Sequence, residues 1–526
     1  MKEILYIQAG NAANYVGTHF WNTQEGYLAS EDPENSQVDA TISFRNESEH
    51  GTLCPRLLIF DWKNNFGTLA RDNALGNERA NNVADAGLWS GSVQPIRIAQ
   101  PPIERSAYQA FLANDDIAQV SKQLPTTQDL LRGKVRYWSD YNRLYYLPRT
   151  LHPINEPSEW DGPQGNWGLG QDIFRAYNEK NDLMEDSVRL FLEECDTLQG
   201  IQVMNDSGTY SGFTSSFLTV LQDEYRKAPA LVFPLLSGLD ADASTNDGHS
   251  VRGAISDALY LRALDDLASM TVPIQPPTQW SPGAWKQWSD INNSNSYYTS
   301  AIVAPYIESA MLPTRLSGGQ DDIASLAAKL QVDARSPFSQ LSGIFPLLSV
   351  STDALSDTAE FSVPRSMKDL HPGSAGCRID VTRGFSAEAV QMFEEHASKA
   401  ALLDSAHYIS RFHTLKYPLP TSFPSFLLPE SAIEWETPKS LTATTPDSIV
   451  GSISGLASLS SGRGRMGLLF KKYANFAETC LKKRVHAAST GSGIDDDELK
   501  ELIQDLWSMH DNTGSTCDSE GDDHDG

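Results

Sequence analysis

The chain has 526 residues, of which 40% are hydrophobic, and it carries a formal net charge of −27. This length and composition are sufficient for two or three domains with large hydrophobic cores. The acidic excess argues against a nucleic-acid surface, because phosphate backbones are bound by clustered Lys and Arg. The five cysteines lie scattered at positions 54, 195, 377, 480 and 517. That pattern is typical of a reducing compartment and argues against a disulfide framework or a zinc site.

We expect neither a targeting segment nor a membrane-spanning helix in this sequence. No apolar run approaches the length of a membrane-spanning helix. The N-terminus predicts a strand at once and includes Glu3, so it resembles neither a signal peptide nor an Arg-rich transit peptide. None of the 11 histidines has the spacing of metal ligands, and we expect no metal site.

The first part of the chain alternates strand and helix patterns. Residues 3–9 and 57–60 predict buried strands, and 103–131 has helical periodicity. Residues 71–100 are polar and rich in Gly and Asn, which indicates an irregular insertion. The aromatic-dense segment 137–146 is either a partner surface, a heme-like aromatic box or an amphipathic core segment, and we favour the core segment.

A strand, a turn and a helix follow one another in the middle of the chain. Residues 182–198 predict an amphipathic helix and 201–204 a short buried strand. Residues 206–212 predict a small-residue turn, and 213–225 restores the helical period. This order can aim backbone N–H groups and a helix N-terminus at a phosphate, although it also occurs as a plain connection.

Further elements are predicted in chain order: a strand at 230–236, helices at 251–270 and 297–316, strands at 344–350 and 377–382, and a helix at 386–403. Residues 273–295, rich in Pro, Trp and Ser, are interpreted as a linker or surface loop. Asp321 and Asp322 precede a short helix, where acids are favourable at the positive helix end.

The C-terminal part is uneven in composition. Residues 418–446 predict a loop and 452–461 a low-complexity tract. The basic segment 463–484 either lies on an anionic membrane surface or is a helix packed on the acidic body, which we favour. Residues 495–510 predict an amphipathic helix, either packed or available to a groove partner. We expect 512–526 to be disordered.

The middle segment resembles tubulins. Glu194-Cys-Asp-Thr-Leu-Gln-Gly200 and Asp206-Ser-Gly-Thr-Tyr-Ser-Gly212 are similar to the tubulin helix end, strand and glycine-rich loop, which in tubulins is Gly-Gly-Gly-Thr-Gly-Ser-Gly. Further motifs extend the resemblance to the Misato family, divergent tubulin-like proteins linked to mitochondrial inheritance: Trp138-Ser-Asp-Tyr141, Pro148-Arg-Thr150, Glu193-Glu-Cys-Asp196 and Leu312-Pro-Thr-Arg-Leu316.

The resemblance implies a degenerate nucleotide site. Gly10 would let the backbone approach a diphosphate, and Asn11 and Asn14 would donate hydrogen bonds, unless this is an ordinary turn with an Asn cap. The implied binding residues are Gly10, Asn11, Asn14, Asp61, Asn166, Gly208, Thr209, Ser211 and Gly212. No catalytic residue and no metal ligand is implied. GTP or GDP is the one cofactor considered, and whether either is bound stays open.

Three departures from the tubulin pattern argue against an efficient GTPase. Lys63 stands where tubulins have a magnesium-side Glu, and a lysine cannot ligate magnesium. The central helix has no counterpart of the base-stacking Asn. The water-activating Asn-x-Asp turn is absent near Asp321 and Asp322. Phosphoryl transfer depends on metal and positioning together, so the combined losses predict a site without hydrolysis.

The implied fold is α/β and tubulin/FtsZ-like, with a parallel-sheet nucleotide-type domain, a smaller second α/β domain and an acidic disordered C-terminal tail. The predicted segments are a nucleotide-type domain at 1–270, a linker or loop at 271–296, the second domain at 297–415, a Pro/Ser-rich loop and basic helical region at 416–490, and the acidic tail with its short amphipathic helix at 491–526.

By resemblance, the leading functional prediction is a non-hydrolysing scaffold (a pseudo-GTPase) in mitochondrial distribution, morphology and DNA inheritance. It would act through protein partners at mitochondria or the cytoskeleton, without binding nucleic acid directly. We expect a peripheral location on the cytosolic side of mitochondria, with a cytoplasmic pool left open. The alternatives are a slow, filament-forming GTPase that self-associates and a peripheral membrane-shaping module acting through 463–484.

Overall fold

The computed structural model describes most of the chain, in the following segments: 2–28, 37–47, 52–70, 103–113, 127–156, 166–239, 247–281, 293–331, 336–364, 376–403, 408–435, 449–461 and 465–513. The predicted insertion at 71–100 and the disorder predicted for the last residues lie outside these segments, apart from 512 and 513, which end a helix.

The strands, in chain order, are β1 (Glu3–Ala9), β2 (Phe44–Glu47), β3 (Thr52–Pro55), β4 (Leu57–Trp62), β5 (Leu151–Ile154), β6 (Leu198–Asp206), β7 (Ala230–Leu235), β8 (Met270–Thr271), β9 (Ser339–Ile344), β10 (Ala359–Glu360), β11 (Cys377–Arg383), β12 (Tyr408–Thr414), β13 (Tyr417–Pro420), β14 (Glu434–Trp435), β15 (Ile449–Ile453) and β16 (Gly455–Ser461).

The α-helices are α1 (Asn11–Leu28), α2 (Ala107–Leu112), α3 (Thr127–Leu131), α4 (Trp167–Asn181), α5 (Arg189–Glu193), α6 (Ser207–Glu224), α7 (Gly248–Leu267), α8 (Ser296–Ala310), α9 (Ile323–Leu330), α10 (Thr352–Ser356), α11 (Ala387–Leu403), α12 (Arg465–Lys483) and α13 (Asp496–Thr513). A π-helical turn, Leu183–Val188, leads directly into α5.

A parallel sheet forms the centre of the N-terminal half, in the order β5-β4-β1-β6-β7-β8. The chain starts at β1, adds β4 and β5 on one side, and then returns to add β6, β7 and β8 on the other. The topological switch point therefore lies between β1 and β6. In open α/β sheets, ligands bind beyond the carboxyl ends of the strands at such a point.

Both faces of this sheet are buried. All seven residues of β1 are buried, and its apolar side chains belong to two different hydrophobic cores. Ile4 and Tyr6 belong to the core that contains α1 and α8, whereas Leu5 and Ile7 belong to the core that contains α4, α6 and α7. Cover by helices on both faces of the parallel sheet explains why its strands are mostly apolar and do not alternate between apolar and polar residues.

The second half forms a mixed sheet in the order β10-β9-β16-β11-β12, in which β11 and β12 are parallel and the other neighbours antiparallel. A small antiparallel sheet, β13-β15-β14, lies beside it. The α/β class and the parallel N-terminal sheet predicted from the sequence are confirmed.

The last two helices, α12 and α13, pack on the N-terminal half. Leu469, Phe470 and Tyr473 of α12 and Leu502 and Leu506 of α13 belong to the same core as α6 and α7. The predictions of a packed basic helix and of an amphipathic helix near 495–510 are confirmed. The apolar face of α13 is thus occupied within the chain.

A buried ion network joins the two halves. Glu308 of α8 accepts hydrogen bonds from Arg315 at 2.9 Å and from Arg383 of β11 at 3.2 Å, and all three side chains are almost completely buried. Tyr27 of α1 donates to Glu308 at 3.0 Å, and Gln24 accepts from Arg315. The motif Leu312-Pro-Thr-Arg-Leu316 therefore supplies a structural cation.

Three sequence predictions are corrected by the structure. The turn predicted at 206–212 is already helical from Ser207. The tract at 452–461 contains β16, the central strand of the second sheet, in which all residues except Ser460 are buried. The strand predicted at 344–350 is displaced to Ser339–Ile344.

Two other predictions are corrected in part. The helix predicted at 103–131 appears as the short helices α2 and α3, and 114–126 lie outside the described residues. The linker predicted at 273–295 is not a solvent-exposed loop over 273–281, because Ile274 and Trp280 are buried. Ile274 also forms a parallel bridge with Leu235, so this segment extends the first sheet.

Candidate functional site

A cavity of about 290 Å³ opens at the switch point of the parallel sheet. One side of it is formed by the C-terminal ends of β6 and β7 and the residues that follow them, including Asp206, Thr209 and Ser237. The opposite side is formed by α1, by the segment 274–280 and by α8. Its position at the carboxyl ends of parallel strands is where this class of fold binds ligands.

Two helix N-termini meet at this cavity. Ala12 of α1 and Gly208 of α6 both line it, and both helices have 18 residues. The first turn of a helix presents unpaired N–H groups and a partial positive charge. Such an arrangement is an anion-binding site in itself.

The anion position at α1 is occupied by a side chain of the protein. The Asp206 carboxylate accepts hydrogen bonds from the backbone N–H of Ala12 at 3.0 Å and of Ala13 at 2.7 Å. Asp206 is the residue before α6, yet its side chain does not cap its own helix. It caps a helix almost 200 residues earlier in the sequence, in the place where a phosphate would bind.

Gly10 provides the space for this carboxylate. Its φ of +105° is a conformation that favours glycine. A Cβ at Gly10 would lie 2.5 Å from the carboxyl carbon of Asp206. The close approach that the sequence predicted at Gly10 therefore exists, but its partner is Asp206.

Burial raises the pKa of Asp206 to about 7, against the lowering effect of the Ala12 and Ala13 amides. The nearby Asp61 adds to the rise. Burial likewise raises the pKa of Asp61 to about 6, and hydrogen bonds from Asn65 and Asn14 oppose that rise. Both carboxyls lie where a second negative charge, such as a phosphate, is unfavourable.

Asp61 and Asn14 form a buried polar cluster that does not line the cavity. Asp61 accepts from Asn14 at 2.9 Å, from Trp138 at 3.0 Å and from Asn65 at 2.7 Å, and also from the amide of Trp62. With both oxygens used, Asp61 has a structural role. Trp138, the first residue of a Misato-type motif, thus anchors its segment to the end of β4.

A second buried carboxylate connects the cavity wall to the C-terminal helices. Asp257 of α7 accepts from Ser207, from the amides of Ser237 and Gly238 at 3.1 and 2.9 Å, and from Tyr473 of α12 at 2.9 Å. Burial raises its pKa to about 6. This one side chain holds together the start of α6, the loop after β7 and the C-terminal helices.

Three of the predicted site residues serve helix packing. Asn166 caps α4 by accepting from the Leu169 amide at 3.0 Å, and it donates to the Gly491 carbonyl at 3.0 Å. Ser211 and Gly212 are buried within α6. A Cβ at Gly212 would collide with the carbonyl oxygen of Trp167, so this glycine permits the close contact of α6 with α4.

The nine predicted residues thus fall into separate places. Gly208 and Thr209 line the cavity, and Gly10 and Asn11 lie at the start of α1 beside Asp206. Asn14 and Asp61 form the buried cluster. Asn166 caps α4, Ser211 is buried within α6, and Gly212 lies at the contact of α6 with α4.

Sequence reasoning missed Asp206 and the wall formed by Ile274, Trp280 and Thr299. A signal for Asp206 was present, since it stands where the tubulin loop has its first glycine. An acidic side chain in a loop that approaches phosphate in tubulins predicts that phosphate binding is altered in this chain. Trp280 gave no such signal, because its segment resembled a linker.

Metal-binding clusters and membrane-spanning helices are both absent from the described segments. No group of three or more His, Cys, Asp or Glu side chains within them is placed to hold a metal ion. No helix among them combines the length and apolarity needed to cross a bilayer.

Two family models and several fungal proteins match the chain. The model of a Misato Segment II tubulin-like domain matches residues 2–114, and the model of a tubulin domain matches residues 127–316. Protein dml1 of Aspergillus niger is 32% identical over 451 residues, which cover 82% of this chain and 86% of that protein. Protein dml1 of Aspergillus clavatus is 30% identical over 473 residues (85% and 90%). Protein dml1 of Schizosaccharomyces pombe is 29% identical over 347 residues (64% and 70%).

Proposed function

The chain belongs to the Misato (DML1) family of tubulin-like proteins, and on this premise we propose that it is a non-hydrolysing tubulin-like scaffold. The observation that carries the proposal is the Asp206 carboxylate on the N–H groups of Ala12 and Ala13. A nucleoside diphosphate or triphosphate would have to displace this carboxylate and then remain beside it. The two N–H groups are already used by Asp206, and the ionised fraction of Asp206 repels a second anion, so phosphate binding at this helix N-terminus is unfavourable.

The metal side of the site supports the same proposal. Magnesium would be needed to bridge the phosphates during transfer. Asp61, the acid at the position expected for it, already accepts four hydrogen bonds and is completely buried. Lys63 follows at the exposed end of this strand and cannot replace an acidic ligand.

GTP turnover by the purified chain tests this proposal. We expect no GTP hydrolysis above the buffer background, with or without magnesium. A matched variant, Thr209→Ala, removes a hydroxyl from the cavity wall at a half-buried position in the first turn of α6. Turnover by the wild type that is lost in Thr209→Ala would overturn the proposal, because the activity would then belong to this cavity.

The family resemblance supports a proposal for the cellular role. We propose that the chain acts in mitochondrial distribution, morphology and DNA inheritance, as a peripheral protein on the cytosolic side that works through protein contacts. A tagged full-length chain should co-fractionate with mitochondria. Carbonate extraction should release it, as expected of a peripheral protein, and protease added to intact mitochondria should degrade it, as expected of the cytosolic side. A matrix location, or normal mitochondria after depletion of the chain, would contradict this role.

One observation favours a second candidate, a slow GTPase that forms filaments. The cavity retains two helix N-termini at the switch point, which is the frame of a phosphate site. This candidate requires sedimentation of the chain that depends on GTP. Failure to pellet with GTP, GDP or no nucleotide would remove it.

A further inference from the structure

Two of the four Misato-type motifs meet at one place on the surface. Pro148-Arg-Thr150 forms a short helical turn before β5, and Glu193-Glu-Cys-Asp196 spans the end of α5 and the segment that leads into β6. Arg149 of the first motif donates to Glu194 of the second at 2.6 Å. No described residue of either motif lines the cavity at the switch point. The candidate site therefore does not account for these two motifs.

Three arginines converge on the end of α5. Arg45 of β2 donates to the two oxygens of the Glu194 carboxylate at 2.9 and 2.7 Å, and Arg149 donates to one of the same oxygens. Arg56, between β3 and β4, donates to the Glu194 carbonyl at 3.4 Å and lies 3.8 Å from the Cys195 sulfur. Glu194 is thus the shared partner of three guanidinium groups that come from three separate segments.

Arg149 is held in place, but most of its hydrogen-bonding capacity is unused. Its guanidinium lies 4.7 Å from the centre of the Phe191 ring, and the ion pair with Glu194 fixes it from another direction. A guanidinium has five N–H donors, and within the described segments Arg149 donates one hydrogen bond. Its side chain is 25% exposed. A side chain that is fixed before binding loses little conformational entropy when a partner binds.

Apolar side chains are exposed beside these arginines. Leu190 precedes Phe191 in α5 and is 39% exposed. Leu53 of β3 is 40% exposed, and its neighbour Cys54 pairs with Arg45 across the β2–β3 hairpin. Arginine is enriched at the energetic centres of protein interfaces, where surrounding contacts exclude water. A fixed arginine with apolar neighbours therefore has the composition of a protein-binding surface.

We propose that this surface, formed by Arg45, Arg149, Leu53 and Leu190 and here called the Arg149 surface, binds an acidic segment of a protein on the outer face of mitochondria, a location that rests on the proposed function. A carboxylate of the partner accepts hydrogen bonds from the N–H groups of Arg149 that face solvent, because a guanidinium matches a carboxylate with two parallel donors. Apolar side chains next to that carboxylate cover Leu190.

Binding of the purified full-length chain to isolated mitochondria, measured by co-sedimentation at increasing chain concentration, tests the proposal. We expect saturable binding by the wild type that weakens as salt is added, since the contact is between charges near the surface. Trypsin treatment of the mitochondria should abolish this binding, because the partner is a protein. Arg149→Gln should weaken binding roughly tenfold or more, as loss of an interface anchor does. Leu190→Ser should weaken it by a smaller factor.

Arg175→Gln is the matched control. It removes one arginine from α4 that is about two-thirds exposed and paired with Asp172, so the change in net charge equals that of Arg149→Gln. The control should bind as the wild type does. Melting temperatures show whether each variant is folded, and Leu190→Ser keeps the proposal open to refutation if Arg149→Gln unfolds. Vesicles of phosphatidylcholine and phosphatidylserine replace mitochondria in a parallel experiment, which detects binding to anionic lipid.

The outcomes separate this proposal from the proposed function. Binding to intact mitochondria alone, weakened in Arg149→Gln and Leu190→Ser but not in Arg175→Gln, supports the inference. Equal binding by the wild type and the folded variants, or an equal loss in Arg175→Gln, overturns it and leaves the mitochondrial role standing. Binding to vesicles or to trypsin-treated mitochondria that depends on Arg149 overturns the protein partner, because the anion is then a lipid. Absence of wild-type binding to mitochondria overturns the inference and contradicts the mitochondrial role as well.

Discussion

Replacing Glu308 by glutamine should destabilise the chain more than any surface charge change. Glu308 is completely buried, and the guanidinium groups of Arg315 and Arg383 lie 2.9 and 3.2 Å from its two oxygens. Burial favours the neutral acid, but the two arginines prevail and hold the pKa of Glu308 below its ordinary value. The carboxylate is therefore charged at neutral pH, and it is the counterion of both buried cations.

The size of the stability loss depends on the two buried arginines that would remain without a counterion. The glutamine side chain would keep the shape and part of the hydrogen bonding, but two buried arginines would face no negative charge. Removing one partner of a buried ion pair costs about 3–5 kcal/mol. Since proteins are stable by about 5–15 kcal/mol, this change removes a large part of the total.

Urea unfolding at neutral pH, followed by tryptophan fluorescence, measures the loss. The control is Asp172→Asn, which breaks an ion pair with Arg175 at 2.8 Å whose two side chains are about two-thirds exposed. Exposed pairs contribute about 0–1 kcal/mol, so the control should unfold almost as the wild type does. A loss below about 1 kcal/mol for Glu308→Gln would refute the view that this network joins the two halves.

Three further predictions concern single side chains. The pKa of Asp206 is about 7 when folded and 3.8 ordinarily, so the folded state binds the proton more tightly and stability should rise by roughly 0.8 kcal/mol from pH 8 to 6.5. In Asp206→Asn this gain in the free energy of unfolding at the lower pH should be lost, as measured by urea unfolding at both pH values. An unchanged gain would contradict the raised pKa of Asp206. Gly212→Ala should cost about 1–3 kcal/mol through its clash with Trp167, and a melting temperature equal to that of the wild type would contradict the close helix contact. Tyr473→Phe removes one of the four hydrogen-bond donors to Asp257 and should lower the free energy of unfolding by about 1–3 kcal/mol. It should also make the C-terminal helices more susceptible to limited proteolysis, and an unchanged digestion pattern would count against this connection.

The sequence predicted the sheet more successfully than the site. Strands β1 and β4 are mostly apolar along their length because both faces of the sheet are covered, and such a run of neighbouring residues can be recognised in the sequence. The helix α7 was equally clear from its stripe of Leu and Ile. By contrast, β16 is built from Gly, Ser, Ala and Leu, so its composition indicates low complexity, and only its neighbours β9 and β11 make it a strand.

The candidate site depended on contacts between distant residues. Asp206 and Ala12 are far apart in the sequence, and no periodicity predicts that one caps the helix of the other. The same holds for Asn166, whose amide contacts Gly491. Motif resemblance located the right loops, Gly10 and Gly208 included. It could not say which partners these residues have in this chain.

The most direct test of the central claim is the nucleotide content of the native protein. The chain is purified without added nucleotide and denatured, and the supernatant is analysed by ion-exchange chromatography. We expect no GTP or GDP, because the Asp206 side chain occupies the N-terminus of α1. Near-stoichiometric GTP or GDP would contradict it, since a phosphate would then bind where this structure places a carboxylate.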